Sequence, residues 1–133
     1  MPTVLIVDDE APVREVVAQM LRQAGYGTML AVDGRDAWAQ LHRGRPIDAV
    51  LADVVMPTMT GTELLALILA HRPELPIALM SGYSTDALRA RGLEEPPVPL
   101  LTKPFSYEQL MVLMAQLLPR SARPSPPGSS LIG

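Results

Sequence analysis

The sequence predicts a doubly wound α/β domain, a five-stranded parallel sheet in the order 2-1-3-4-5 with five helices on its two faces. Three observations lead there. Short apolar runs recur along the chain, segments with helical spacing fall between them, and 133 residues suffice for one core but not for a second domain of ordinary size. The runs are continuous rather than alternating, which suits strands covered on both faces. Strict alternation of strand and helix then calls for right-handed crossovers.

Val4, Leu5, Ile6 and Val7 form the first run. In the helix that follows, Val13, Val16, Val17, Met20 and Leu21 share a face, Pro12 is tolerated in the first turn, and Gly25 supplies a C-terminal cap. Residues 28–32 read as a weaker strand near an edge. Asp33 and Gly34 lead into a second helix carrying Ala37, Trp38 and Leu41 that stops near Gly44. After the third strand, 49–52, Thr60-Gly61-Thr62-Glu63 forms a capping box that opens a third helix through Leu64, Leu65, Leu67 and Ile68, ending before Pro73. Residues 77–80 are the fourth strand, and the stretch from Ser84 to Gly92 holds about two helical turns. Residues 98–101 give the fifth strand, and a second capping box, Ser106 to Gln109, opens a last helix through Leu110, Leu113, Met114 and Leu117. The strand order is the flavodoxin-like one natural to this size. Residues 1–118 are expected to fold and 119–133, rich in Pro, Ser and Gly, to form a flexible tail or linker remnant.

Composition narrows the chemistry. Hydrophobic residues at 48% against charged residues at 19% exclude a disordered chain, and no apolar run is long enough to span a bilayer, so no membrane contact is expected. The start of the chain does not read as a signal peptide, and a cytoplasmic location is expected. With no cysteine, disulfides, thiolate chemistry and iron–sulfur clusters are excluded. A net charge of −3 without a basic run argues against nucleic acid as a direct partner, and with no DNA-binding domain read after Leu118, direct transcription control by this chain is not expected. Lys103 is the lone lysine among the 11 basic residues.

In a doubly wound sheet, ligands bind beyond the carboxyl ends of the strands, where the strand order reverses. That rule selects Asp8, Asp9 and Glu10 after the first strand, Asp53 after the third, Ser81 after the fourth and Lys103 after the fifth. Carboxylates at close range repel one another unless a cation shares their charge, and an all-oxygen set favours Mg²⁺. Lys103 and Ser81 suit the outer oxygens of a phosphate, and Asp53 is the carboxylate best placed to act as a nucleophile and form an acyl phosphate.

Four segments, Val7-Asp8-Asp9-Glu10, Asp53-Val54-Val55-Met56-Pro57 with Gly61, Met80-Ser81-Gly82-Tyr83 and Leu101-Thr102-Lys103-Pro104-Phe105, resemble the receiver domains of bacterial response regulators and hybrid histidine kinases. The resemblance implies that Asp53 accepts a phosphoryl group from a histidine kinase or histidine phosphotransfer protein. It implies that Asp9 binds Mg²⁺ directly and Asp8 through water, with the Val55 backbone carbonyl as a further ligand. Lys103 would pair with the phosphoryl group, Ser81 would move towards it, and the peptide before Pro104 would be cis. The brief fourth helix and the Ser-Gly-Tyr segment are similar to receivers at the C-terminal end of hybrid histidine kinases, and a stand-alone receiver would read the same way.

Two positions depart from the commonest pattern. Leu100 stands where many receivers carry an aromatic ring that changes rotamer, so the readout is expected through the loop 82–92, with Tyr83 as substitute. Val55 and Tyr83 offer no group that activates water, and slow loss of the phosphoryl group is expected. A Mg²⁺-dependent phosphatase is the enzyme alternative, but Val55 replaces the second aspartate one such class uses. A binding module that is never phosphorylated is the other. Elsewhere, Asp33 reads as a helix cap, Asp48 as a surface residue before a strand, His42 and His71 as solvated helix-end groups, and Trp38 as packing for the second helix. Met111, Val112 and Gln116 would form a partner surface if exposed.

Overall fold

In the computed structural model, which describes residues 2–90, 97–119 and 123–124, strands and helices alternate along the chain. They are β1 Thr3–Val7, α1 Ala11–Gln23, β2 Gly27–Ala31, α2 Gly34–His42, β3 Ala49–Asp53, α3 Gly61–His71, β4 Ile77–Ser81, α4 Thr85–Ala90, β5 Leu100–Thr102 and α5 Tyr107–Leu117. The sheet runs β2-β1-β3-β4-β5 with every pair parallel. The doubly wound, flavodoxin-like order expected from the apolar runs is the order observed.

Alternate strand residues serve opposite layers, which is why the runs read as continuous. Leu5, Val7, Val50, Ala52 and Leu79 pack with Ala37 and Leu41 of α2, Leu64 and Ile68 of α3, and Leu88 of α4. Val4, Ile6, Leu51, Ala78 and Met80 face the other way, onto Val17 and Leu21 of α1 and Leu110 and Met114 of α5. Each large side chain taken fully out of water here stabilises the fold by about 1.5–3 kcal/mol.

Local chemistry sets the helix ends. Thr60 Oγ1 accepts from Glu63 N–H while Glu63 Oε1 accepts from Thr60 N–H, and Ser106 and Gln109 repeat the reciprocal pair. Asp33 caps α2 by accepting from the Asp36 N–H at 2.8 Å. Gly25 and Gly44 take φ of 96° and 74° after α1 and α2, a region that glycine enters without steric cost.

Several boundaries and roles differ from the sequence reading. β5 starts at Leu100 rather than 98, because Pro99 has no N–H and joins the ladder only by accepting from the Leu79 N–H at 2.9 Å. β2 occupies Gly27–Ala31, since the Val32 N–H turns away to Asp36 Oδ2 at 3.0 Å. Asp48 is more than a surface residue. Its Oδ2 accepts from the Thr3 N–H at 2.7 Å and its own N–H donates to the Thr3 carbonyl at 2.8 Å, tying β3 to β1 at their amino ends. His42 and His71 are exposed but also packed on the Trp38 ring, at centroid distances of 4.6 and 5.5 Å. Of the expected tail, Pro124 lies against the α1–β2 turn, 3.0 Å from where a Cβ on Gly25 would stand. Most of residues 119–133, and residues 91–92 of the expected readout loop, lie outside the described residues.

Candidate functional site

The strand ladders run slightly past the strands themselves, and these extra bonds fix the site. The Asp8 N–H donates to the Ala31 carbonyl at 3.2 Å, Val54 N–H to Met80 at 2.8 Å, and Lys103 N–H to Ser81 at 2.7 Å. The carboxyl ends of β1, β3 and β4 and the residue after β5 therefore open on common ground. Gly61, at the start of α3, donates its N–H to the Val54 carbonyl at 2.9 Å. A Cβ there would run into the Asp53 carbonyl oxygen, so only glycine lets α3 begin this close to the end of β3.

Three charged groups meet at the centre. The Lys103 ammonium donates to Asp8 Oδ2 at 2.8 Å and to Asp53 Oδ2 at 3.1 Å. Asp8 is fully buried and Asp53 nearly so, at 6% exposure. Burial pushes the Asp53 carboxyl above its ordinary range. The Lys103 charge and hydrogen bond and the Val55 backbone N–H pull it down, the Asp8 charge raises it further, and the net direction is up. For Lys103, burial acts to lower the pKa, but the hydrogen bond to Asp8 and the charges of Asp53 and Asp8 outweigh it and hold the ammonium above its ordinary value. One cation is thus shared by two carboxylates that are short of counter-charge.

Asp8, Glu10 and Asp53 each offer a carboxylate oxygen, and these oxygens lie within 4.8 Å of one another. An all-oxygen, anionic set of this size fits a hard divalent cation such as Mg²⁺. Asp9 is exposed and does not belong to this group among the described residues; Glu10 stands in it instead. Asp8 also accepts from the Glu10 N–H through Oδ1 at 2.9 Å, and its main-chain carbonyl accepts from Arg14 Nη1 at 2.6 Å.

Around this centre, Ser81 is fully buried and its Oγ accepts from the Tyr83 N–H at 2.9 Å. The Tyr83 ring and Leu100 are partly buried and both pack against the same core layer. Val55 is 44% exposed beside Asp53. The Lys103–Pro104 peptide is cis. Sequence reasoning missed the Arg14 contact, for which an arginine on the first turn and a half of α1 is the only sequence signal, and left Glu10 out of the ligand set although it named the acidic run.

The sequence profile described as the response regulator receiver domain matches residues 4–115. This chain belongs to that family. Over 119 residues the receiver domain is 37% identical to a probable transcriptional regulatory protein, TcrX, of Mycobacterium tuberculosis, covering 90% of this chain and 50% of the relative. The chain thus spans about half the length of the curated relatives it matches. The chemotaxis protein CheY4 of Vibrio cholerae superposes with a TM-score of 0.74 at 31% identity, covering 89% of this chain and 99% of that one. The response regulator TrrA of Thermotoga maritima, solved in complex with Mg²⁺ and BeF, gives 0.75 at 28% identity over 89% of this chain and 100% of that one. Response regulator receivers are signalling modules of two-component systems, paired with histidine kinases. Among the described residues no helix is long and apolar enough to cross a membrane.

Proposed function

We propose that this receiver domain is a phosphoacceptor that takes a phosphoryl group onto Asp53 from a phosphohistidine of a kinase or histidine phosphotransfer protein. The observation that carries this reading is the buried Asp53 carboxylate held 3.1 Å from the Lys103 ammonium at the carboxyl edge of the sheet. In the transfer, an Asp53 oxygen forms a bond to phosphorus as the bond from phosphorus to the histidine nitrogen breaks. The nitrogen keeps that electron pair and leaves as neutral imidazole after taking a proton. Lys103 is in reach of the Asp53 carboxylate and offsets negative charge gathering there. Asp8, Glu10 and Asp53 would hold Mg²⁺, with the Val55 carbonyl as a further oxygen and the exposed Asp9 joining only on a turn of the acidic segment towards Asp53; the ion's chemistry is to neutralise carboxylate and phosphoryl charge.

Ser81 supplies a hydroxyl for the phosphoryl group once it leaves the Tyr83 N–H, so the two residues switch together. With Leu100 in place of an aromatic ring, Tyr83 is the residue that transmits the change. Tyr83→Ala is then expected to uncouple phosphorylation from partner binding while Leu100→Ala is not, as read by titration of the phosphorylated protein with its partner. The Ser81-Gly82-Tyr83 segment suits a receiver carried by a hybrid kinase and suits a stand-alone receiver equally, and the net charge of −3 without a basic run supports a domain that does not itself contact nucleic acid. A binding module that never accepts phosphate is the second reading, favoured by Leu100.

Intact mass after incubation with a small phosphodonor tests the proposal. One added phosphoryl group, dependent on Mg²⁺ and absent in Asp53→Asn, is expected, and it should persist because Val55 and Tyr83 activate no water. No adduct on folded wild-type protein would leave the binding module as the better account.

A further inference from the structure

We infer that Arg14 is a positioning residue for the divalent-cation site, acting through the peptide between Asp8 and Asp9; the inference rests on the proposed Mg²⁺ reading. Asp8 is held at each of its polar groups. Its N–H donates to the Ala31 carbonyl at 3.2 Å, Oδ1 accepts from the Glu10 N–H at 2.9 Å, and Oδ2 accepts from Lys103 at 2.8 Å. The remaining acceptor, the Asp8 carbonyl, takes the Arg14 guanidinium at 2.6 Å. That carbonyl belongs to the peptide plane leading to Asp9. Fixing it sets the direction in which the Asp9 and Glu10 backbones leave the strand, and so which carboxylate turns towards Asp53.

Arg14 is itself well anchored. It lies on α1, where its own N–H donates to the Glu10 carbonyl at 3.0 Å, and its side chain is half-buried. The same α1 turn therefore grips the acidic segment twice, at the Glu10 carbonyl and at the Asp8 carbonyl. A guanidinium is suited to this because its donors are planar and its charge is fixed. Among the described residues Arg14 forms no ion pair with a carboxylate of the cluster and reaches it through the Asp8 carbonyl, so its action on the site is geometric.

Charge and geometry predict opposite results, which makes the inference testable. A positive group near a cation site weakens cation binding, so removing one should tighten it if charge were all that mattered. Removing a brace that orients ligands weakens metal binding, by about tenfold in comparable outer contacts. The experiment is calorimetric titration of the folded chain with MgCl₂ for wild type, Arg14→Met, which keeps much of the aliphatic stem, and Arg14→Lys, which keeps the charge. Thermal unfolding in chelator and the Glu10 amide proton shift are followed alongside.

The expected result is Mg²⁺ affinity about tenfold weaker in Arg14→Met and weakened by a smaller factor in Arg14→Lys, with a shifted Glu10 amide already present without metal. Unchanged or tighter binding in Arg14→Met would overturn the inference and leave the Mg²⁺ site standing. Should Arg14→Met fail to fold, Arg14→Lys decides alone: wild-type affinity together with an unmoved Glu10 amide overturns it. Failure of the wild-type protein to bind Mg²⁺ at all would overturn the metal reading, and this inference with it.

Discussion

At their amino ends the strands meet polar groups that satisfy one another near the surface, whereas at their carboxyl ends they hold two carboxylates against one ammonium out of water. At the amino edge, Asp48 accepts from the Thr3 N–H at 2.7 Å, and Arg72 donates to the Leu41 carbonyl at 3.0 Å, closing the end of α2. Each of these acceptors has a donor, and the Asp48 side chain stands exposed. At the carboxyl edge, Asp8 is fully buried, Asp53 is 6% exposed, and Lys103 serves both. An aspartate at one edge fastens strands. At the other, burial raises the Asp53 pKa, so its ionised form works against folding.

The largest effect expected from this contrast is at Lys103. Lys103→Met leaves two buried carboxylates without their cation and should cost about 3 kcal/mol in urea unfolding at pH 7. The loss should shrink in acid as Asp53 takes a proton. An unchanged midpoint would mean that water or counter-ions already neutralise the cluster.

At the amino edge, Asp48→Ala removes the acceptor of the Thr3 N–H and should cost about 1 kcal/mol, with a salt-insensitive loss that marks a hydrogen bond rather than a long-range charge effect. A smaller change is expected in the loop after β3. Thr58 has φ 65°, and the Met59 N–H reaches back to the Pro57 carbonyl at 2.7 Å, a tight turn that a β-branched residue enters only under strain. Thr58→Gly should raise stability by about 0.5 kcal/mol, the strain relieved being partly offset by glycine's extra unfolded-state freedom. Lower stability would show that the Thr58 side chain contributes more than its backbone costs.

Features set by neighbours in sequence were legible in it. The capping boxes at Thr60 and Ser106 and the glycine after α1 need only adjacent residues, and the apolar runs identified the strands because burial on both faces leaves no polar position. The strand-end rule also found Asp8, Asp53, Ser81 and Lys103. What stayed hidden depends on backbone planes and on distant partners. The choice between Asp9 and Glu10 at the cluster follows from how the chain turns after Asp8, with Arg14 six residues on gripping the carbonyl. Likewise the contact of the His71 ring with Trp38 needs α2 and α3 side by side, and the late start of β5 follows from a missing N–H at Pro99.

The most direct test of the contrast between the two edges is the unfolding free energy of Asp53→Asn against wild type as a function of pH. Because the folded-state pKa of Asp53 is raised above the ordinary 3.8, the native protein holds more protons than the unfolded chain from there upward, and wild-type stability falls as pH rises through that window. Lys103 keeps Asp8 as its partner in the variant. Asp53→Asn is therefore predicted to be the more stable protein at pH 7, with the gap closing as pH falls towards 3.8 and below. A variant less stable than wild type at pH 7, as expected for Asp48→Ala, would contradict the account.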